Sequence, residues 1–309
     1  MLVSPIRGLL KSVSDATTVQ DVLEAIGANF TAEKRDIYYE CVNGDKIRYD
    51  RAKVIVNKDT EEGISICSDG YGIVQYVDAI SFLNSLVVEG KARFDTAGIT
   101  DRGARLHVIM KADDYVDIGN GEKIDFYFYV VTSHDSTASI CTMVTPLHNL
   151  TQTVFTPIDN GVVKFKHSRN VNERMKKAAN IYTKMNKEWQ EYSDNFKNWV
   201  KVQLNPIQLD SYFKMVCPGD TKQAENTRAK LVDIFRGGAL SSLNSCKGSL
   251  WGAFMAVQQF ADFYKTTKKS SKGRSEVEAR IEGRLSGAAA RQKATAYGMA
   301  MRFAANSRL

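Results

Sequence analysis

Asp125-Phe-Tyr-Phe-Tyr-Val-Val131 is the stretch that decides the fold of this chain. Six of its seven residues are apolar or aromatic, without the alternation of a strand that has one face in water. Such a run is typical of a strand that is covered on both faces. It therefore predicts a sheet with packed side chains on each side.

The residues on either side of this strand predict further strands. Asp36–Val42 and Lys46–Tyr49 flank Asn43-Gly44, which is a typical two-residue hairpin turn. Short runs of strand-like sequence also occur at 53–56, 63–67, 104–110 and 139–144. We therefore predict that residues 36–166 form a mostly antiparallel sheet, accompanied by one or two helices.

The second half of the chain has a helical period instead. Apolar residues recur from Val171 to Trp199 at spacings that alternate between four and three, which predicts one helix over about 171–202. Because these side chains are largely aromatic, packing on the chain's own sheet or helices is favoured over a dimeric coiled coil. Further helices are predicted after Asn205-Pro206, over about 249–264 and over about 275–305.

These patterns together predict an α+β fold with a mostly antiparallel sheet in the first half and helices in the second. The predicted organisation is a strand-rich domain over 1–166 and a helical, basic region over 167–309 that packs on it. One continuous domain is the alternative, since no flexible linker is evident between the two.

The charge of the chain is divided by position. Residues 1–160 carry 15 Lys and Arg against 23 Asp and Glu, a net charge of −8. Residues 161–309 carry 27 against 12, a net charge of +15, and the two halves sum to +7. A strongly basic half favours a polyanionic partner, nucleic acid before membrane.

Two basic segments are candidates for contact with nucleic acid. The first, Lys265–Arg274, has five cations in ten residues and no acid, and its Ser, Thr and Gly residues predict a mobile loop between two helices. The second alternates cations with an aromatic residue and a histidine over 164–169. The alternatives are a solvated loop without a ligand and a surface strand with Phe165 buried. The candidate phosphate-contacting residues are Lys164, Lys166, Arg169, Lys265, Lys268, Lys269, Lys272 and Arg274.

No motif in the sequence predicts catalysis or a cofactor. The five cysteines are scattered without a Cys-x-x-Cys pair, so neither a disulfide framework nor a zinc site is expected. Ser133-His134-Asp135 and Cys141 could suggest a hydrolase, but neighbouring residues on a strand point to opposite faces, and a turn is favoured. There is no P-loop or dinucleotide fingerprint. With no apolar stretch near 18 residues and no signal peptide pattern, a cytoplasmic protein is expected.

Several segments, in order along the chain, resemble the phage/plasmid-like protein family catalogued as a domain of unknown function, number 932. They are Ser68–Gln75, Ala79–Leu83, Phe94–Gly98, Thr132–Asp135, Val144–Pro146, Phe165–His167, Asn170–Arg174 and Trp251–Val257. Two segments depart from the family pattern: Leu150–Thr153 stands where Val-Cys-Gln-Asn is usual, and Gly248-Ser249 stands where Asn-Thr is usual. The resemblance implies a mobile-element origin, most plausibly a phage, and no established activity.

Charge, size and resemblance lead to one preferred function and two alternatives. We expect a non-catalytic protein that binds single-stranded DNA, anneals strands in recombination or replication, and assembles as a homo-oligomer partly through its helical half. The link to strand annealing rests on analogy at the level of the fold. The first alternative is a host-takeover or anti-defence protein that binds a host protein, and the second is a hydrolase that uses His134 or Cys141.

Overall fold

The computed structural model describes residues 10–119, 121–135, 140–144, 146–148, 163–165, 171–237, 240, 242–265, 276–285 and 287–306. Its strands lie in the first half of the chain and its long helices in the second. The predicted α+β class is therefore confirmed.

The larger sheet contains seven antiparallel strands in the described part of the chain. Their order is β1-β5-β6-β7-β8-β10, and β9 pairs with β7 beyond the end of β8. The strands are β1 (Lys11–Ser12), β5 (Ala92–Thr100), β6 (Arg105–Gly119), β7 (Glu122–Ser133), β8 (Ile140–Val144), β9 (Leu147–His148) and β10 (Val163–Phe165).

Both faces of β7 are covered, as its sequence predicts. Phe126 and Phe128 point into the main core, which extends into the helical half. Tyr127 and Tyr129 lie on the opposite face in a small cluster with Leu10. The alternation of a strand thus distributes one apolar run between two packed layers.

The smaller sheet has the order β2-β3-β4 and is built on the predicted hairpin. Its strands are β2 (Ala32–Glu40), β3 (Lys46–Asn57) and β4 (Gly63–Cys67). Gly44 takes a φ of 85°, a left-handed conformation that the turn requires and that glycine adopts without strain. The two strands predicted over 46–49 and 53–56 are one strand, because the three residues between Tyr49 and Lys53 form a bulge and not a turn.

Three short helices accompany the two sheets. They are α1 (Val19–Ala25), α2 (Tyr76–Ile80) and α3 (Leu83–Val88). Thr18 caps α1, since its side chain accepts a hydrogen bond from the Asp21 backbone N–H.

The helical half contains six α-helices within the described residues. They are α4 (Val171–Lys201), α5 (Pro206–Val216), α6 (Lys222–Arg236), α7 (Leu250–Gln259), α8 (Glu276–Leu285) and α9 (Ala288–Asn306). The predicted long helix α4 and the Asn205 cap of α5 are confirmed. The single helix predicted over 275–305 is wrong, because the helix ends at Leu285 and a second one begins at Ala288, with Gly287 between them.

The two halves share one core. Trp189 of α4 stacks on Phe126 of β7, with 4.4 Å between the ring centroids. Ser245 donates a 2.5 Å hydrogen bond to the buried carboxylate of Glu122 on the sheet. The aromatic side of α4 therefore packs on the chain's own sheet, as predicted. The boundary at residue 166 stays a prediction, with one continuous domain as its alternative.

Candidate nucleic-acid interface

A short connection and the start of α6 form one wall of a cleft in the helical half. Gly219 takes a φ of 92° in the turn before Thr221, whose side chain caps the helix by accepting from the Ala224 N–H at 3.2 Å. Arg228 fixes the turn by donating to the carbonyls of Cys217 and Gly219, at 2.8 and 2.7 Å. The first turns of α6 are therefore held in a defined position at the cleft.

A wide helical turn forms the opposite wall. α7 continues into a π-helical turn over Phe260–Tyr264, which ends at Lys265. At its centre Asp262 forms an ion pair with Lys293 of α9, and both side chains are fully buried. Arg284 of α8 donates to the Asp262 carbonyl, so two neighbouring helices, α8 and α9, hold this turn. Such single π turns widen a helix locally and re-aim its side chains.

The cleft between these walls has a volume of about 770 Å³. Hydroxyl and amide side chains of α6 line one side, and the rings of Phe260 and Tyr264 line the other, next to Lys265. None of the described residues that line it is acidic. The cleft therefore offers hydrogen-bond donors, aromatic surface and positive charge together.

Lys265 extends into this cleft and is held by neutral groups. Its Nζ donates to Gln292 Oε1 at 2.7 Å and to the Ala288 carbonyl at 3.4 Å. Partial burial lowers the pKa of Lys265, and the nearby Arg291 charge lowers it further. Since both hydrogen-bond acceptors of this ammonium are neutral, neither offsets its positive charge.

The position of Lys265 differs from the sequence expectation of a mobile, solvated loop. The residue closes the π turn, because Asp262 and Lys293 anchor that turn in the core, and its side chain is part-buried. Replacing Lys265 with an acid is therefore expected to affect the fold as well as any ligand.

Tyr264 is the exposed aromatic ring of the site. The residue is 46% exposed, although it is the last residue of a π turn in which Ala261 and Asp262 are buried. The ammonium of Lys230 on α6 lies 4.7 Å from its ring centroid, a cation–π distance. Tyr264 thus presents a flat surface with Lys230 above it and Lys265 beside it.

The other predicted phosphate contacts lie apart from this cleft or outside the described residues. Lys164 lies on β10, an edge strand of the larger sheet, opposite Cys141 of β8. The predicted contacts outside the described residues are Lys166, Arg169, Lys268, Lys269, Lys272 and Arg274.

The sequence did not predict the polar wall formed by α6, the ring of Tyr264, or the Gln292 amide that accepts a hydrogen bond from Lys265. Gln223, Asn226 and Gln292 are ordinary residues on the outer faces of helices, and only packing brings them together. The available signal was Tyr264 at the end of a predicted helix, directly before the basic segment.

The residues that suggested a hydrolase are packed into the protein. His134 is buried, and its ring stacks on Tyr76 with a centroid distance of 4.0 Å. Its backbone N–H donates to the Ala104 carbonyl at 2.8 Å, and the Tyr71 hydroxyl donates to the Ser133 carbonyl. This segment joins the two sheets in the described structure.

Three of the cysteines, Cys67, Cys217 and Cys246, are buried as structural thiols are, whereas Cys41 and Cys141 are half-buried. Burial raises the pKa of Cys67 and of Cys217, and it raises the pKa of Cys246 to about 12. Within the described ranges, no cluster of three His, Cys, Asp or Glu side chains could hold a metal ion. No helix in the same part of the chain is long and apolar enough to cross a bilayer.

Fold and cleft together define an α+β protein whose helical layer carries a cationic and aromatic cleft. The chain belongs to the family described as a domain of unknown function (DUF932), whose model matches residues 64–282. This match includes α6 and the π turn but neither β2 nor β3. No curated protein and no solved structure matches the chain.

Proposed function

We propose that this protein binds single-stranded nucleic acid, DNA in the first place, with the cleft around Tyr264 and Lys265 as part of its binding surface. One observation carries the proposal: a half-exposed tyrosine ring in cation–π contact with Lys230 lines the same cleft as Lys265, and no described lining residue of that cleft is acidic. Proteins that bind single strands combine stacking rings with cations that follow the phosphates.

The chemistry of the cleft suits one nucleotide unit at a time. An unpaired base can stack on the open face of Tyr264, while its phosphate lies against Lys265. Amide side chains such as Gln223 and Asn226 can donate to phosphate or base oxygens. A volume of about 770 Å³ is in the range of sites for ligands of nucleotide size.

Charge beyond the cleft supports the same partner. The net charge of +15 over residues 161–309 would attract a polyanion at long range. The basic segment of the sequence begins at Lys265, a residue that lines the cleft. In this proposal it adds sequence-independent phosphate contacts and the salt dependence that follows from counterion release.

The biological setting is part of the proposal. Strand annealing in recombination or replication of a mobile element, in the cytoplasm of its host, needs neutralised and extended strands. The residues of the cleft supply contacts for that task, and the proposal assigns them no bond-breaking chemistry.

Fluorescence anisotropy with a labelled oligonucleotide of about 40 nucleotides tests the proposal. We expect tighter binding to the single strand than to the duplex, with affinity that falls steeply as salt rises. Loss of one stacking ring is worth about 1–3 kcal/mol, so Tyr264→Ala should weaken binding about tenfold or more. Tyr264→Phe keeps the ring and should bind within about twofold of wild type.

The chain offers a matched control for Tyr264. Tyr115 is 48% exposed, and Lys123 lies 4.3 Å from its ring centroid, but it belongs to the sheet. Tyr115→Ala should therefore leave binding unchanged. Equal losses in Tyr115→Ala and Tyr264→Ala would reject the cleft as the site. The absence of binding at low salt would reject the function and favour the host-protein alternative.

A further inference from the structure

The end of the β2–β3 hairpin, residues 36–51, forms an arm with an apolar face. The pairs Ile37–Tyr49 and Tyr39–Ile47 lie side by side on one face of the hairpin. Tyr39, Ile47 and Tyr49 are 52%, 45% and 43% exposed. Adjacent exposed apolar side chains of this kind mark interaction surfaces.

The outer edge of β2 is open along this arm. Gln75 closes the edge at Ala32, where its side chain bonds both the N–H and the carbonyl at 2.9 Å. The backbone N–H of Cys41, in contrast, points inward to the partner strand of the hairpin, since it donates to the Asp45 carbonyl at 2.8 Å. Because strand residues alternate, the backbone groups that point outward belong to Lys34, Asp36, Tyr38 and Glu40.

These outward backbone groups form no hydrogen bond with the described part of the chain. An unpaired edge with apolar side chains is a template for another strand. The arm carries four acids and three bases, so it is nearly neutral and offers no complement to a polyanion: Asp36, Glu40, Asp45 and Asp50 against Lys46, Arg48 and Arg51. Its occupant is therefore expected to be a protein strand.

We propose that β2 pairs antiparallel with β2 of a second copy of this chain, about a two-fold axis at Ile37. The pairing would join two three-stranded sheets into one sheet of six strands. It is independent of the nucleic-acid proposal, since it uses a different half of the chain.

Charge favours this register over the neighbouring ones, chiefly through Lys34 and Glu40, because the Asp36 carboxylate is already paired with Lys53 and Arg48. With the axis at Ile37, Lys34 lies opposite Glu40 of the second copy, and Asp36 lies opposite Tyr38. An axis at Asp36 would place that carboxylate opposite itself, and an axis at Tyr38 would place Asp36 opposite Glu40. Like charges directly opposite each other destabilise a strand pair, whereas opposite charges stabilise it.

The same register brings the apolar faces together. Ile37 would meet Ile37 of the second copy in a non-hydrogen-bonded pair, where side chains are closest. Arg35 would lie opposite Tyr39 of the second copy, a pair suited to a cation–π contact. Self-pairing thus covers both the open edge and part of the exposed apolar face.

Disulfide trapping tests the register in a Cys41→Ser background. A pair of Ile37→Cys chains would place two Cα atoms about 4.5 Å apart, which is within disulfide range. We expect Ile37→Cys to form a covalent dimer on mild oxidation. Tyr38→Cys, the control on the same arm, should stay largely monomeric in a denaturing gel. Equal trapping of the two variants would overturn the proposal.

Charge exchange tests the pairing without cysteines. Lys34→Glu and Glu40→Lys should each raise the dimer dissociation constant about tenfold or more, since each creates two like-charge pairs. The double variant restores opposite charges and should dimerise like wild type, which light scattering should report as twice 34.5 kDa. A monomeric wild-type protein at micromolar concentration, or a monomeric double variant with a wild-type melting temperature, would overturn the proposal.

Discussion

At Gly252 the backbone of α7 lies so close to the preceding loop that no side chain fits. A Cβ at this position would lie 2.0 Å from the Cys246 carbonyl oxygen, well inside van der Waals contact. The Gly252 N–H donates to Ser249 Oγ at 3.0 Å, and Ser249 in turn donates to the Ser245 carbonyl. This glycine therefore allows the tight entry into the most buried helix of the described structure.

Gly252→Ala should lower the free energy of unfolding by about 3 kcal/mol, because the methyl group forces the backbone apart. Gly298→Ala is the control, since Gly298 lies in α9 with nothing within 4 Å of the added Cβ. That change should raise stability by about 0.5–1 kcal/mol through helix propensity. Urea unfolding measures both changes, and equal midpoints for wild type and Gly252→Ala would contradict the close contact.

His107 is a buried titratable side chain held in its neutral form. Its Nδ1 lies 2.7 Å from the Tyr129 hydroxyl, and its Nε2 lies 3.0 Å from Thr100 Oγ1. Burial and, to a smaller extent, the positive charge of Arg105 together lower the pKa of His107 to about 3. The unfolded chain therefore takes up a proton near pH 6.5, where the folded chain does not.

His107 should make the protein less stable in mild acid. The stability that the neutral His107 side chain contributes is fully present above about pH 6.5. As the pH falls from there towards 3, the free energy of unfolding decreases by about 1.4 kcal/mol per pH unit. His107→Gln should be less stable than wild type at neutral pH, with a flatter pH profile. Denaturant unfolding should show that the difference in free energy of unfolding between wild type and His107→Gln shrinks by up to about 3 kcal/mol from about pH 7 to about pH 4. A constant difference would contradict the depressed pKa.

Among the elements, the π turn over Phe260–Tyr264 links the core to the cleft. Asp262 of this turn forms a buried ion pair with Lys293, and Tyr264 and Lys265, two and three residues further along the chain, line the cleft. Burial lowers the pKa of Lys293, whereas the Asp262 carboxylate opposes that shift. A buried pair of this kind contributes little net stability, but the loss of one partner is costly.

Lys293→Met should therefore lower the free energy of unfolding by about 3–5 kcal/mol, since it leaves the Asp262 carboxylate buried without its cation. Replacing both partners, as in Asp262→Leu with Lys293→Met, should recover much of that loss. Thermal unfolding of the two variants measures the difference. If the single and double variants lose the same stability, the loss in Lys293→Met does not come from the buried Asp262 carboxylate.

For the whole molecule, the acidic and basic halves are joined by packing more than by charge. The aromatic side chains of α4 that are described, from Trp189 to Trp199, are buried against the sheet and neighbouring helices. Alanines of α9, among them Ala296 and Ala300, are buried in the same core. Packing within one chain thus covers these aromatic and alanine side chains, and the homo-oligomer predicted through the helical half stays a prediction.

A shared core predicts one cooperative unfolding transition for the whole chain. Trp189→Ala removes the ring that stacks on Phe126 and should cost about 3–5 kcal/mol. The loss should appear in the unfolding of both halves, as followed by far-ultraviolet circular dichroism and by tryptophan fluorescence. Two separate transitions, of which only one moves in the variant, would show that the halves are independent domains.

Local signals in the sequence were sufficient for most of the elements. The Asn43-Gly44 turn, the caps at Thr18 and Asn205, and the period of α4 depend on neighbouring residues, so the chain specifies them without tertiary contacts. The covered strand β7 was predictable for the same reason, because its composition leaves no polar face. The fold class follows from these signals, and so does the side of α4 that packs on the sheet.

Only the tertiary structure decided where the two proposed binding surfaces lie. The cleft needs α6, the π turn and α9 to meet, and no local pattern marks Gln223 or Gln292 as neighbours of Lys265. Likewise, the edge of β2 is closed at Ala32 by Gln75, which is distant in sequence, and among the described residues no hydrogen bond closes it further along. Periodicity shows which face of an element is buried, but contacts between residues far apart in the chain decide which polar groups meet and which edges stay open.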